Sequence, residues 1–299
     1  MSSKSTSLLP VISCLIAATL WGLFWYPLRV LENMGVSGLW ASVMIYTATL
    51  VPLIPQLWIH RKGISGRIVL LGLIGLSAGW ANLGFMLAML EGNVVRGLLL
   101  FYLSPVWTVL LGMLILDERL TGRAWISIVL AMFGAIIMLV QPGATFLFPG
   151  DSADLLAVSA GFAFAVMNVL IRKSGDVPII LKMGFTCLGV LFLSFTGLLA
   201  ISIPAPVLDQ SIIILVISVG SVGMLIMIFT AQYGVTHLPV HRSAVIFLFE
   251  IVAGAVSAAL LTNELISIRE WTGGGLVIVA AWLTAIDSIR SRKNLSQSK

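Results

Sequence analysis

Ten stretches of about 20 apolar residues, with charges almost confined to their ends, leave this chain very little choice of fold. They run over 9–28, 37–59, 67–89, 96–116, 122–141, 153–171, 177–200, 210–232, 242–262 and 270–289, and predict membrane-spanning helices α1 to α10. Backbone polar groups in lipid must find partners within the chain, and helices of this length supply them. A transmembrane barrel would show segments of about ten residues with a period of two, and none is present. A soluble domain carries about 25% charged residues, whereas here 10% are charged and 59% hydrophobic. The links are short, so almost nothing remains for a soluble domain. The stretch 1–10 is short and carries one lysine, so the first run reads as α1 and not as a cleaved signal.

The basic residues orient the array. With a cytoplasmic amino terminus, fourteen of the 17 fall on the cytoplasmic side, and only Arg29, Arg96 and Arg269 fall outside. That bias follows the positive-inside rule, places both termini in the cytoplasm and requires an even number of spans. Scattered between apolar runs, the same residues form no continuous stripe for nucleic acid, although the net charge is +5.

The chain also resembles itself. A shift of 146 places Arg96 on Arg242, Glu118 on Glu264, Thr121 on Ser267 and Trp125 on Trp271. A shift of 143 places Leu28 and Arg29 on Ile171 and Arg172. The chain therefore reads as two five-helix repeats, 9–141 and 153–290, followed by a short basic tail over 291–299. Five is odd, so the second repeat enters the membrane inverted. Inverted repeats are a transporter feature, because exchanging the conformations of two equivalent halves gives alternating access. The fold class expected is an all-α polytopic membrane protein of ten transmembrane helices in two inverted repeats.

Few polar residues lie at membrane depth. Glu250 stands near the middle of α9, where a carboxylate is costly and must face a cavity or a partner. Two readings stand: a proton-coupling or solute-binding group, or a structural bond to a broken neighbouring helix. Trp21, Trp25, Trp80, Asn82, Tyr102, Trp107, Asn168 and Glu250 are the candidate lining of a central cavity suited to a small amphipathic or aromatic solute. For any one aromatic, plain packing or an interfacial belt is the competing reading. Pro105 should kink α4 and free a carbonyl. Arg96 and Arg242 occupy matching positions and serve either as interfacial anchors or as a gate, with Arg96 near Glu91. Glu118 and Glu264 cap the following helices in the first reading and join the gate in the second. Cys14 and Cys187 lie inside apolar runs and read as packing residues. No phosphate-binding loop, HExxH or dinucleotide fingerprint occurs, so no enzyme activity, cofactor or metal is expected. A membrane enzyme or assembly subunit is the alternative from another class, and it would cluster its polar residues at one interface.

The segments Leu103-Ser104-Pro105-Val106 through Asp117-Glu118-Arg119-Leu120, and Leu248-Phe249-Glu250-Ile251 through Asn263-Glu264-Leu265-Ile266, resemble the EamA-type transporters of the drug/metabolite transporter superfamily. The resemblance covers 9–290. It implies a bacterial inner-membrane secondary transporter exporting a small metabolite such as an amino acid, with an importer or exchanger of small metabolites or organic cations of the same fold as the alternative. Its implied partners are the solute, membrane lipids and protons, with a homodimer contact through α5 and α10. Many members have Leu-Glu-Pro in the second half, and Ile251 stands where that proline falls, which predicts a straighter α9.

Overall fold

The computed structural model describes residues 8–140, 151–262 and 266–297, with 94–95 and 287–297 as backbone only. Its elements are α1 (Leu9–Asn33), α2 (Gly38–Ile64), α3 (Ile68–Glu91), α4 (Val94–Phe101 continued by Ser104–Leu116) and α5 (Gly122–Leu139). The second half follows with α6 (Ser152–Lys173), α7 (Ile179–Ile201), α8 (Gln210–His237), α9 (Val240–Leu261) and α10 (Ile268–Gln297). Among the described residues, the first nine are long and apolar enough to cross a bilayer. The molecule is an all-α polytopic membrane fold of ten helices.

Most boundaries lie within a few residues of those expected. The exceptions are α1, α2, α8 and α10, which run on past their apolar stretches to Asn33, Ile64, His237 and Gln297. A helix keeps satisfying its own backbone beyond the hydrocarbon, so polarity ends the apolar run before it ends the helix.

Helix α3 packs between α6 and α7, α1 between α8 and α9, α4 against α6 and α9, α2 against α7 and α8, and α5 along α10. Exchanging each helix for the one five places away turns this set into itself. The pair α3–α6 becomes α8–α1, α4–α6 becomes α9–α1, and α3–α7 becomes α8–α2, while α5–α10 and α4–α9 map onto themselves.

Lipid supplies no hydrophobic force between helices, so close packing has to hold them. A methyl group on Gly75 or Gly79 of α3 would strike the carbonyls of Phe185 and Gly189 on α7. On the α5–α10 seam, a Cβ on Gly134 would lie 2.6 Å from the Gly273 carbonyl, and one on Gly273 2.5 Å from that of Gly134. Outside the spans, Arg67 meets Asp176 at 2.5 Å and joins the α2–α3 link to the α6–α7 link. That hydrogen bond holds the Asp176 carboxyl below the usual carboxylate range.

Several helices are discontinuous. Helix α1 breaks at Phe24, and α8 carries a π-helical turn over Val219–Met224 where Gly220 lies against Ala48 of α2. Helix α4 is interrupted at Tyr102 and Leu103, and α9 at Leu248. The half-helices Val94–Phe101 and Val240–Phe247 coincide under the 146 shift. Pro105 has no N–H to bond four residues back, which releases the Phe101 carbonyl. Gly161 of α6 packs against that oxygen, where a Cβ would stand only 2.6 Å away. The straighter α9 expected from Ile251 is not found: the chain bends at Leu248 without a proline, and the Ile251 N–H bonds the Leu248 carbonyl at 3.1 Å.

Candidate functional site

The helix breaks face a cavity of about 630 Å³ between the two halves. Its walls come from α1, α2, α3, α4, α6, α7, α8 and α9, and it reaches the ends of α1, α5 and α9 at Arg29, Leu139 and Ala258. Trp21, Phe85, Phe101, Phe164 and Phe247 supply aromatic surface, and Asn82, Asn168, Thr186, Gln232 and Ser243 supply neutral polar groups. Glu250 and, near the Arg29 end, Glu270 are the carboxylates that line it among the described residues.

Glu250 lies in the first turn of the half-helix Phe249–Leu261, where free N–H groups and the helix dipole favour negative charge. The Tyr102 hydroxyl, at the break of α4, is directed at its carboxylate. No basic side chain among the described residues forms an ion pair with Glu250. Glu250 and Tyr102 thus face each other where two broken helices meet.

Of the residues expected in the lining, Trp21, Trp25, Asn82, Tyr102, Asn168 and Glu250 are there. Trp25 also bonds across the halves, its Nε1 donating to Ser257 Oγ at 2.8 Å, while that hydroxyl donates to the Gly22 carbonyl. Trp80 lies elsewhere: it is 38% exposed and its Nε1 donates to Ser159 Oγ at 3.1 Å. Residues two apart point to opposite sides of a helix, so Trp80 and Asn82 could not both face inward. Trp107 packs edge to face on Phe162 of α6 with centroids 5.8 Å apart, away from the cavity.

The cavity is closed at the other end by charged groups. Asp117 ends α4 in a left-handed conformation, φ 52°, and turns Glu118 back toward α9. There Glu118 Oε2 accepts from the Val240 N–H at 2.9 Å, and Oε1 lies 3.5 Å from Arg172 Nε. His241 Nδ1 stands 3.4 Å from Oε2, an electrostatic contact without hydrogen-bond geometry. Arg172 also donates to the Thr236 carbonyl at 2.5 Å, so α4, α6, α8 and α9 are joined at this end.

Arg96 does not pair with Glu91 as the gate reading supposed. It forms a two-point contact with Asp154, at 2.8 Å and 2.6 Å, that ties the start of α4 to α6. Asp154 is 4% exposed and Arg96 half-buried, an ion pair that the short link between the halves does not suggest. Arg242 sits half-buried in the first turn of α9, and Glu264 lies outside the described residues.

Lys182, one of the fourteen basic residues assigned to the cytoplasmic side, is fully buried in the first turn of α7. Its Nζ donates to the Ile171 carbonyl at 3.3 Å and to Thr236 Oγ1 at 3.0 Å, next to the Arg172 network. Composition could not reveal Phe101, Phe164, Phe247 and Gln232 as lining residues, since each reads as ordinary core. The repeat registers were the available signal: 143 relates Trp21 to Phe164, and 146 relates Phe101 to Phe247.

Comparison with known proteins agrees with this arrangement. The model of the EamA-like transporter family matches twice, over residues 8–140 and 151–286, once in each half. An uncharacterized transporter of Pseudomonas aeruginosa is 28% identical over 169 residues, 54% of each chain. Protein RarD of Salmonella typhi is 27% identical over 107 residues, 36% of this chain and 34% of that one. The aligned stretches therefore span about half or less of these curated relatives. A crystal structure at 18% identity superposes with a TM-score of 0.76 over 94% of this chain and 97% of its own, a likeness of fold. With both halves matched and the ten-helix fold in place, the chain belongs to the EamA-like transporter family.

Proposed function

We propose that the protein is a secondary transporter of the bacterial inner membrane that exports a small amphipathic metabolite bearing an amine, such as an amino acid. The observation that carries this reading is the Glu250–Tyr102 pair in an aromatic-walled cavity, where no basic side chain among the described residues pairs with the carboxylate. A cationic head group would complete the charge at Glu250, and the solute's apolar part would lie against Trp21, Phe101 and Phe247. Asn82, Asn168 and Gln232 would supply the remaining hydrogen bonds. The same features favour organic cations as the second reading.

The mechanism is alternating access between two inverted repeats, 9–141 and 153–290. The twofold match of one family model and the self-mapping helix contacts support it. With both termini and the basic tail 291–299 in the cytoplasm, the Glu118 end is the inner one, and the cavity opens outward at Arg29. Glu250 would exchange its proton for the cationic solute, coupling export to proton entry. The outer faces of α5 and α10, with Trp125, Phe133, Trp271 and Trp282 exposed, offer a contact for a homodimer.

The test is flux into proteoliposomes for a panel of amino acids, aromatic amines and organic cations, with and without a proton gradient. Absence of flux for every compound by well-folded protein overturns transport. Glu250→Gln should abolish gradient-driven flux, and unchanged flux in that variant removes Glu250 from the coupling role.

A further inference from the structure

Four aromatic side chains meet at the middle of the cavity, and the repeat registers relate them in pairs. Trp21 of α1 corresponds to Phe164 of α6, and Phe101 of α4 corresponds to Phe247 of α9. All four line the cavity. Trp21 and Phe164 come from the two halves and meet edge to face, with centroids 6.1 Å apart. Phe247 lies 5.5 Å from Trp21, and its counterpart Phe101 lies 5.8 Å from Phe164, so this contact occurs in both halves.

One contact does not. Phe247 also touches Phe164, at 6.3 Å, and closes a triangle with it and Trp21. The equivalent contact would join Phe101 to Trp21, and no ring contact between them exists among the described residues; Phe101 instead turns to Phe85 at 4.9 Å. The asymmetry coincides with the asymmetry of the cavity. Phe247 ends the half-helix Val240–Phe247, whose first N–H is held by Glu118 at the closed end. Phe101 ends the half-helix that starts at the open Arg29 end. Both rings sit at the last residue before a helix break, where a small rotation of a half-helix moves the ring without disturbing the rest of the span.

We propose that Phe101 and Phe247 are the alternating gate residues of transport, turning about a Trp21–Phe164 contact that persists in both states. When the Glu118 end opens, Phe247 leaves Phe164 and keeps only Trp21, while Phe101 moves onto Trp21 and shuts the Arg29 end. The quartet then has the same four-contact pattern with the halves exchanged. This inference rests on the alternating-access reading above, and it adds which side chains carry the exchange.

Two single-cysteine reporters test it in proteoliposomes, in a background with Cys14→Ala and Cys187→Ala. Ala244→Cys lies toward the Glu118 end and Ala258→Cys toward the Arg29 end, and both positions line the cavity. Each is labelled with a membrane-impermeant maleimide applied from its own side. Phe247→Ala should raise labelling at 244 and lower it at 258, and Phe101→Ala should do the reverse, each by roughly fivefold, the population shift expected from losing one aromatic pair. Phe247→Leu and Phe101→Leu keep the apolar bulk, and the same signs with smaller shifts are expected from them if either alanine variant folds poorly.

The gate assignment is overturned if both variants move the reporters in the same direction, or leave them unmoved, while the parent still shows reciprocal access at 244 and 258. Simultaneous access at both positions in the parent would instead remove alternating access, and the gate with it.

Discussion

Trp80 and Asn82 show how much a single helical position decides. They are two residues apart on α3, and only Asn82 reaches the cavity, where its Oδ1 accepts from Ser194 Oγ at 3.3 Å. Trp80 lies on the far face and bonds Ser159. We expect Asn82→Ala to raise the transport KM several-fold, through loss of one hydrogen bond worth about 1 kcal/mol. Trp80→Phe should leave KM within twofold, which is roughly the spread expected for a surface substitution. Initial-rate flux over a range of solute concentrations separates the two. A similar KM change in both variants would mean that the cavity wall has been placed on the wrong face of α3. Lys182 makes the same point for charge: one turn into α7, its ammonium is held by a carbonyl and a hydroxyl deep in the bundle, a position its place near the Gly175–Pro178 link does not announce.

Among the elements, the helix pairs that cross most closely depend on missing side chains. Gly189 of α7 lies against the Gly75 backbone of α3 so tightly that no Cβ fits between them. Gly72, one turn earlier on α3, has open space around it. Gly189→Val should therefore destabilise the protein by about 1–3 kcal/mol, as overpacking of a close interface does. Gly72→Ala should be neutral or slightly stabilising, since alanine favours the helix by about 1 kcal/mol. Thermal unfolding of both variants in detergent checks this, and an equal loss of Tm would show that α3 and α7 do not cross there. The broken helices α4 and α9 have the opposite need. Their interruptions cost backbone bonds, and in a bilayer such breaks are tolerated where they are buried in protein or line a cavity. Here they border the cavity, beside Tyr102 and Glu250.

For the whole molecule, the proposed alternating access makes the closed Glu118 end and the open Arg29 end one state of a two-ended device. Which end faces the cytoplasm follows from the distribution of basic residues, so topology is the prediction that belongs at this scale. A fluorescent reporter that matures only in the cytoplasm should glow when fused after Lys299, and a phosphatase active only outside should be silent there. The reverse result would exchange the inner and outer labels of the two ends.

The number of helices, their approximate limits and the family resemblance were legible in the sequence, as were the two repeat registers. The physical reason is that a bilayer imposes a length of about 20 apolar residues on each span, and this is a local property. The pairing of Trp21 with Phe164 and of Phe101 with Phe247 was implicit in the same registers, yet nothing local distinguishes those rings from lipid-facing or packing aromatics. Which face of α3 turns inward, which carboxylate Arg96 meets, where α9 breaks without a proline, and which end of the cavity is closed were decided by tertiary structure alone. Each of these depends on where a second helix crosses the first, and in lipid every apolar face is equally comfortable until close packing and a few buried polar bonds choose among them.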